Sequence, residues 1–277
     1  MSKVEVKKRD DSFSNVIKTS IWRETPSDSN PYHVAAARCH GYDHMALIAE
    51  KSFTEVIFLL FRRELPTDDQ RRLLDALLVS VLPGPRHSGC RAAMSAAVSK
   101  TNVSHVLPLA LNVASGEWQG SREVFRCMKY LISVAEQDPV ETACRVLSSA
   151  SNVRGVASDE IELAPGFGTI YGSADTYSKK LALNLFGDDY AQGETMRWCR
   201  HFVTAIERQG FGCRVTAVFA AVLIDLGFSP YEGELLFQIA CAPSIAAHAA
   251  EKAGGKITDL PFVPDEHYTI ESDDKDD

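Results

Sequence analysis

The sequence predicts an all-α protein, and three observations carry that expectation. Helix-start signals repeatedly precede apolar runs: Ser52 with Glu55 forms a capping box ahead of Val56-Ile-Phe-Leu-Leu-Phe61, and Thr67 stands before the next periodic run. Helical apolar spacing returns through most of the 277 residues. Runs in which β-branched and polar residues alternate are few, so no large sheet is expected.

Taken in order, residues 1–30 read as an N-terminal arm: 1–19 are charged and serine-rich, and Ser20–Asn30 has the turn residues of an ordered but irregular lead-in. A long apolar helix is expected over 44–61, and the next runs over about 68–81 after the stop at Glu64-Leu-Pro-Thr67. Pro83-Gly-Pro-Arg-His-Ser-Gly-Cys-Arg91 is turn-rich, and a small-residue helix, Ala92–Ser99, follows it. The stretch from Leu107 leads through Gly116 and Gly120 into a helix near 121–136. Further helical patterns cover 139–151, 177–187, 193–209, 213–226 and 232–253, and no internal repeat is seen.

Composition bounds the function. A hydrophobic fraction of 45% and a charged fraction of 24% are ordinary for a globular chain. With a net charge of −8 and no basic stripe, nucleic acid is not expected as a partner. Seven cysteines lie scattered without a Cys-x-x-Cys pair, which suits reduced core thiols in the cytoplasm better than disulfides or a metal site. No signal peptide or membrane span is read. Glu271–Asp277 is expected to be a solvated acidic tail.

The segment Ala164-Pro-Gly-Phe-Gly-Thr-Ile-Tyr-Gly-Ser-Ala-Asp175 holds three glycines and a proline, and is expected to be irregular. Its glycines would let backbone amides approach a ligand such as a phosphate or an adenine; an ordinary helix-to-helix turn is the plainer alternative.

Pro165-Gly166-Phe167-Gly168, followed by a tyrosine and an aspartate, resembles the Pro-Gly-Phe-Gly-His segment of the citrate synthase and citryl-CoA lyase family. Gly41-Tyr-Asp43, Ser52-Phe-Thr-Glu-Val56 and Glu64-Leu-Pro-Thr67 are similar to the entry of that family's large domain. The resemblance spans residues 31–270. It implies a two-domain helical fold and a homodimer. Residues 31–119 and 226–270 would form the large domain, and 120–225 the small one. It implies no permanent cofactor and no metal, with a coenzyme A thioester as substrate and Pro165, Gly166, Phe167 and Gly168 at its adenine end.

The family's chemistry needs a base and preorganised donors for an enolate. By resemblance, its two histidines correspond to Gln119 and Thr169, and its aspartate to Thr216 in Arg214-Val-Thr-Ala-Val-Phe-Ala-Ala221. Two of the arginines that hold a dicarboxylate acceptor correspond to Tyr177 and Cys241, and a third, expected before Tyr268, is absent. A buried dianion without such partners is costly to bind. His87 and Arg91 lie in a segment similar to one in the ATP-citrate lyase C-terminal module. They either bind one carboxylate or polarise one carbonyl, or Arg86 and His87 only shape a turn. Two functions follow. On the first, the protein acts on an acyl-CoA with an acceptor other than oxaloacetate, Gln119 and Thr169 donating to an oxyanion and His87 serving as base. On the second, it is a catalytically silent dimer acting as a binding or regulatory partner.

Overall fold

The structure is a computed structural model; it describes residues 13–151, 160–187, 189–190 and 193–269. The expected tail at 271–277 and the first part of the N-terminal arm lie outside them. The chain divides into two compact units, Met1–Pro66 and Thr67–Asp277.

The first unit opens with an antiparallel meander of β1 (Trp22–Pro26), β2 (Val34–Cys39) and β3 (Tyr42–Asp43). Arg23 pairs with Arg38, and Arg38 with Asp43. The irregular lead-in expected at 20–30 is therefore partly a strand. Its residues are exposed throughout, so no alternating apolar face betrays it in sequence. The expected helix 44–61 is two helices, α1 (His44–Glu50) and α2 (Phe53–Arg62). Lys51 is extended between them, and Ser52 starts α2 with the anticipated capping box. Cys39, Leu47 and Leu59 form this unit's small core, with Leu65 packed against it.

The second unit carries the remaining helices: α3 (Asp68–Ser80), α4 (Ser88–Val98), α5 (Val103–Ala114), α6 (Ser121–Val134), α7 (Pro139–Ser151), α8 (Thr176–Leu185), α9 (Glu194–Glu207), α10 (Val215–Asp225) and α11 (Pro230–Lys252). Eleven α-helices in the described residues make the fold all-α. Helix α5 is not anticipated by the sequence reading, because Pro108 sits inside it and resembles a breaker.

Helix α10 is the centre of this unit. Eight consecutive residues, Thr216 to Leu223, are buried, as suits a helix apolar on every side. It packs against α6, α8, α9 and α11. Burying its Phe219, Val222 and Leu223 contributes about 1.5–3 kcal/mol each. At its end Asp225 caps α9, accepting from the amides of Thr195 at 2.9 Å and Met196 at 2.8 Å. Helix α11 packs across α4, α5 and α6.

The glycine-rich segment corrects an expectation, since its first part is regular. Strands β4 (Ile161–Ala164) and β5 (Phe167–Thr169) form a hairpin, and β6 (Gly212–Cys213) pairs with β5. Two of its glycines are required by this packing. Gly168 has φ +145°, and a Cβ there would lie 1.9 Å from the Ile161 carbonyl oxygen; one at Gly166 would meet the Ala217 methyl at 2.9 Å.

Candidate functional site

The hairpin delivers the chain to the start of α10. The Arg214 amide donates to the Gly166 carbonyl at 2.8 Å, which fixes the guanidinium and the Thr216 hydroxyl beside the N-terminal turn of α6. There Glu123, fully buried, faces them. Its Oε1 accepts from Arg214 Nη2 at 2.5 Å, and its Oε2 from Thr216 Oγ1 at 2.6 Å and the Gln119 amide at 3.1 Å. Gln119 adopts φ 55°, a left-handed conformation uncommon outside glycine, and thereby turns its amide onto the carboxylate.

A second carboxylate extends the cluster. Glu162 of β4 lies 3.4 Å from Arg214 Nη2 and accepts from Arg126 Nη2 at 2.7 Å. Arg126 also faces Glu117 at 3.6 Å. The Trp118 ring covers the guanidinium of Arg214, its centroid 5.0 Å from Cζ. The side chain of Arg214 is only 4% exposed, yet its Nε and Nη1 have no acceptor.

His87 sits at the edge of this cluster. Its Nδ1 accepts from the Gly89 amide at 3.2 Å and so caps α4, and the backbone of Gln119 lies beside its ring. Burial pushes its pKa down, the Gln119 backbone pulls it up, and the nearby Arg91 charge pushes it down again; the net shift is downward. The imidazole is therefore neutral, with its lone pair directed at Gly89. Of its two sequence readings, this bond is that of a residue that shapes a helix start. Arg91 is exposed in the first turn of α4.

The structure thus brings Gln119 and Thr216 together around Glu123 and Arg214, with Gly166 attached through its carbonyl and His87 beside the Gln119 backbone. It places the other predicted residues elsewhere. The Phe167 ring is fully buried, packed edge-on against Phe202 at 4.9 Å. Pro165 is half-buried at the hairpin turn, and Thr169 is buried on β5. Tyr177 is 67% exposed at the start of α8. Cys241 is buried in α11, where burial pushes its thiol up to about 12, so it is no nucleophile at neutral pH. Glu123 and Arg214 escape sequence reasoning as site residues. The one available signal is a charged residue leading a largely apolar helix.

A cavity of about 280 Å³ lies between α8 and α9, walled by Leu183, Phe186, Arg200 and Thr204, with the Lys179–Glu207 ion pair (2.9 Å) at its lining. Among the described residues no cluster of acidic, histidine or cysteine side chains could hold a metal ion. No described helix is long and apolar enough to cross a membrane.

The chain, with its buried central helix ringed by packed helices, has the citrate synthase-like fold. Solved structures make the likeness particular. Citryl-CoA lyase from Hydrogenobacter thermophilus matches with a TM-score of 0.72 at 22% identity, over 93% of this chain and 94% of that one. ATP citrate lyase from Methanosaeta concilii, solved with (3S)-citryl-CoA, matches at 0.68 and 15% identity over 95% of this chain, which spans 43% of that longer one. Citrate synthase from Thermoplasma acidophilum matches at 0.60 and 14% identity, over 81% of this chain and 58% of that one. No protein-family model matches the sequence, and no curated protein matches it.

Proposed function

We propose that this protein binds a coenzyme A thioester and acts at its acyl carbonyl with an acceptor other than oxaloacetate. The likeness to proteins whose structures hold citryl-CoA or coenzyme A supports the ligand class. The observation that carries the reading is the Glu123–Arg214–Thr216 cluster at the position corresponding to the family's base. Burying such a cluster costs desolvation that a well-packed apolar group of similar volume avoids, so stability alone does not account for it. With Tyr177 and Cys241 at arginine positions, a dicarboxylate acceptor lacks its cationic partners.

A second reading is the catalytically silent dimer, and a specific observation favours it. Glu123 accepts from Arg214, Thr216 and Gln119; the His87 lone pair faces Gly89; Cys241 is held protonated by burial. None of these groups is poised to remove a proton.

The homodimer belongs to the same proposal. Leu109 and Val113 of α5 and Leu235 and Ile239 of α11 are 37–47% exposed on helices that pack together, an apolar face suited to a second copy. So do a division into a large domain (31–119 with 226–270) and a small one (120–225), and a cytoplasmic location that would keep the seven cysteines reduced.

Calorimetric titration with coenzyme A tests the ligand class: micromolar binding is expected, and none at millimolar ligand would sink it. Free-thiol release from acetyl-CoA, with and without small nucleophilic acceptors, separates the readings. Release above background supports the enzyme, and none with any acceptor supports the silent partner.

A further inference from the structure

The N–H donors of Arg214 outnumber their acceptors. A guanidinium has five. Those on Nη2 face Glu123 and Glu162, while Nε and Nη1 have no acceptor although the side chain is 4% exposed. An unsatisfied buried donor costs about 1–3 kcal/mol, more on a charged group, so such donors normally have a partner in the working state.

The neighbouring charges restrict what that partner can be. Glu123 and Glu162 already lie against Arg214, and Glu162 is shared with Arg126, which also faces Glu117. Three carboxylates against two guanidiniums leave no surplus positive charge for an incoming anion. A neutral acceptor oxygen, such as a thioester carbonyl, takes the remaining N–H groups without that repulsion. A guanidinium held by carboxylates on one nitrogen is also preorganised to stabilise charge developing on such an oxygen. Trp118 lies over the face of the guanidinium and is 44% exposed, so a partly solvated side chain covers the group there.

We propose that Arg214, through Nε and Nη1, is the group that binds the acyl carbonyl oxygen of a thioester, with Trp118 as its cover. This rests on the acyl-CoA reading above and extends it by naming the group that holds the reacting carbonyl.

Coenzyme A and acetyl-CoA differ only in the acetyl group, so comparing them isolates the carbonyl. The proposal predicts that acetyl-CoA binds about tenfold or more tightly than coenzyme A, as one or more hydrogen bonds from a charged donor allow. In Arg214→Lys this preference falls to within about twofold while the affinity for coenzyme A is kept. Equal binding of both by the unaltered protein, or a preference that survives Arg214→Lys, overturns the carbonyl assignment and leaves the acyl-CoA reading standing. Binding of neither ligand removes that reading and this inference with it. Arg214 also holds Glu123, so the variant can fail to fold. A measurement on the unaltered protein then decides: in arginine-labelled protein, acetyl-CoA shifts an Arg Nε–H resonance that coenzyme A leaves in place. Absence of that selective shift overturns the proposal.

Discussion

Glu123→Gln probes the centre of the site through a single atom. The glutamate is fully buried and accepts from Arg214 Nη2, Thr216 Oγ1 and the Gln119 amide. Glutamine keeps the shape but offers one acceptor oxygen. Its amide nitrogen must therefore point either at Arg214 or at the Gln119 amide, placing donor against donor, although the Thr216 hydroxyl can turn to accept. The change also leaves Arg214 with Glu162 at 3.4 Å as its only carboxylate. Removing one partner of a buried ion pair costs about 3–5 kcal/mol, a large share of the roughly 5–15 kcal/mol that holds a typical protein together. Urea unfolding followed by circular dichroism should show a lower midpoint at unchanged slope. Glu117→Gln is the matched control. That carboxylate is 67% exposed and 3.6 Å from Arg126, and its loss should be felt by less than about 1 kcal/mol. A loss below about 1 kcal/mol for Glu123→Gln would refute the cluster as described.

Other expectations follow from the same structure. Gly168→Ala forces a Cβ against the Ile161 carbonyl at φ +145°, and should destabilise by about 3 kcal/mol or more, read as a fall in Tm; a shift of only a degree or two would mean the hairpin is misplaced. His87 has a folded pKa lowered below its unfolded value of about 6.5, so the stability it contributes is present above that value. It declines as pH falls through the lower folded pKa. His87→Asn keeps a cap for α4, and its melting temperature should show a weaker decline below pH 6.5 than the parent's; identical profiles would contradict the burial of His87. Of the seven cysteines Cys144 is exposed and the other six are buried, so a thiol reagent should modify one site rapidly and none in Cys144→Ser. Rapid labelling of a second thiol would show that a core helix opens.

Much of the helical frame can be read from local chemistry. Ser52 with Glu55 and Thr67 with Gln70 state where α2 and α3 begin, and the run Ala217–Ile224, apolar throughout, states that α10 is central. The sheets cannot be read in this way. β1 is exposed along its length, and the β4–β5 hairpin uses glycine to bring backbone against backbone, which in sequence resembles a ligand loop. The site is legible only as a set of positions. That Thr216 bonds Glu123, 93 residues away, and that Arg214 reaches both Glu123 and Glu162, depends on packing between α6, α10 and the hairpin. The dual reading of His87 likewise resolves only when Gly89 and Gln119 are seen against its ring.

The measurement that tests the central claim most directly is proton NMR of acetyl-CoA with the protein and oxaloacetate in deuterated water. The account predicts acetyl-CoA signals broadened by binding, an acetyl methyl group that keeps its protons, and no citrate, because the Thr216 hydroxyl donates to Glu123 and is no base at neutral pH. Protein-dependent loss of the methyl signal to deuterium, or the appearance of citrate, would contradict it.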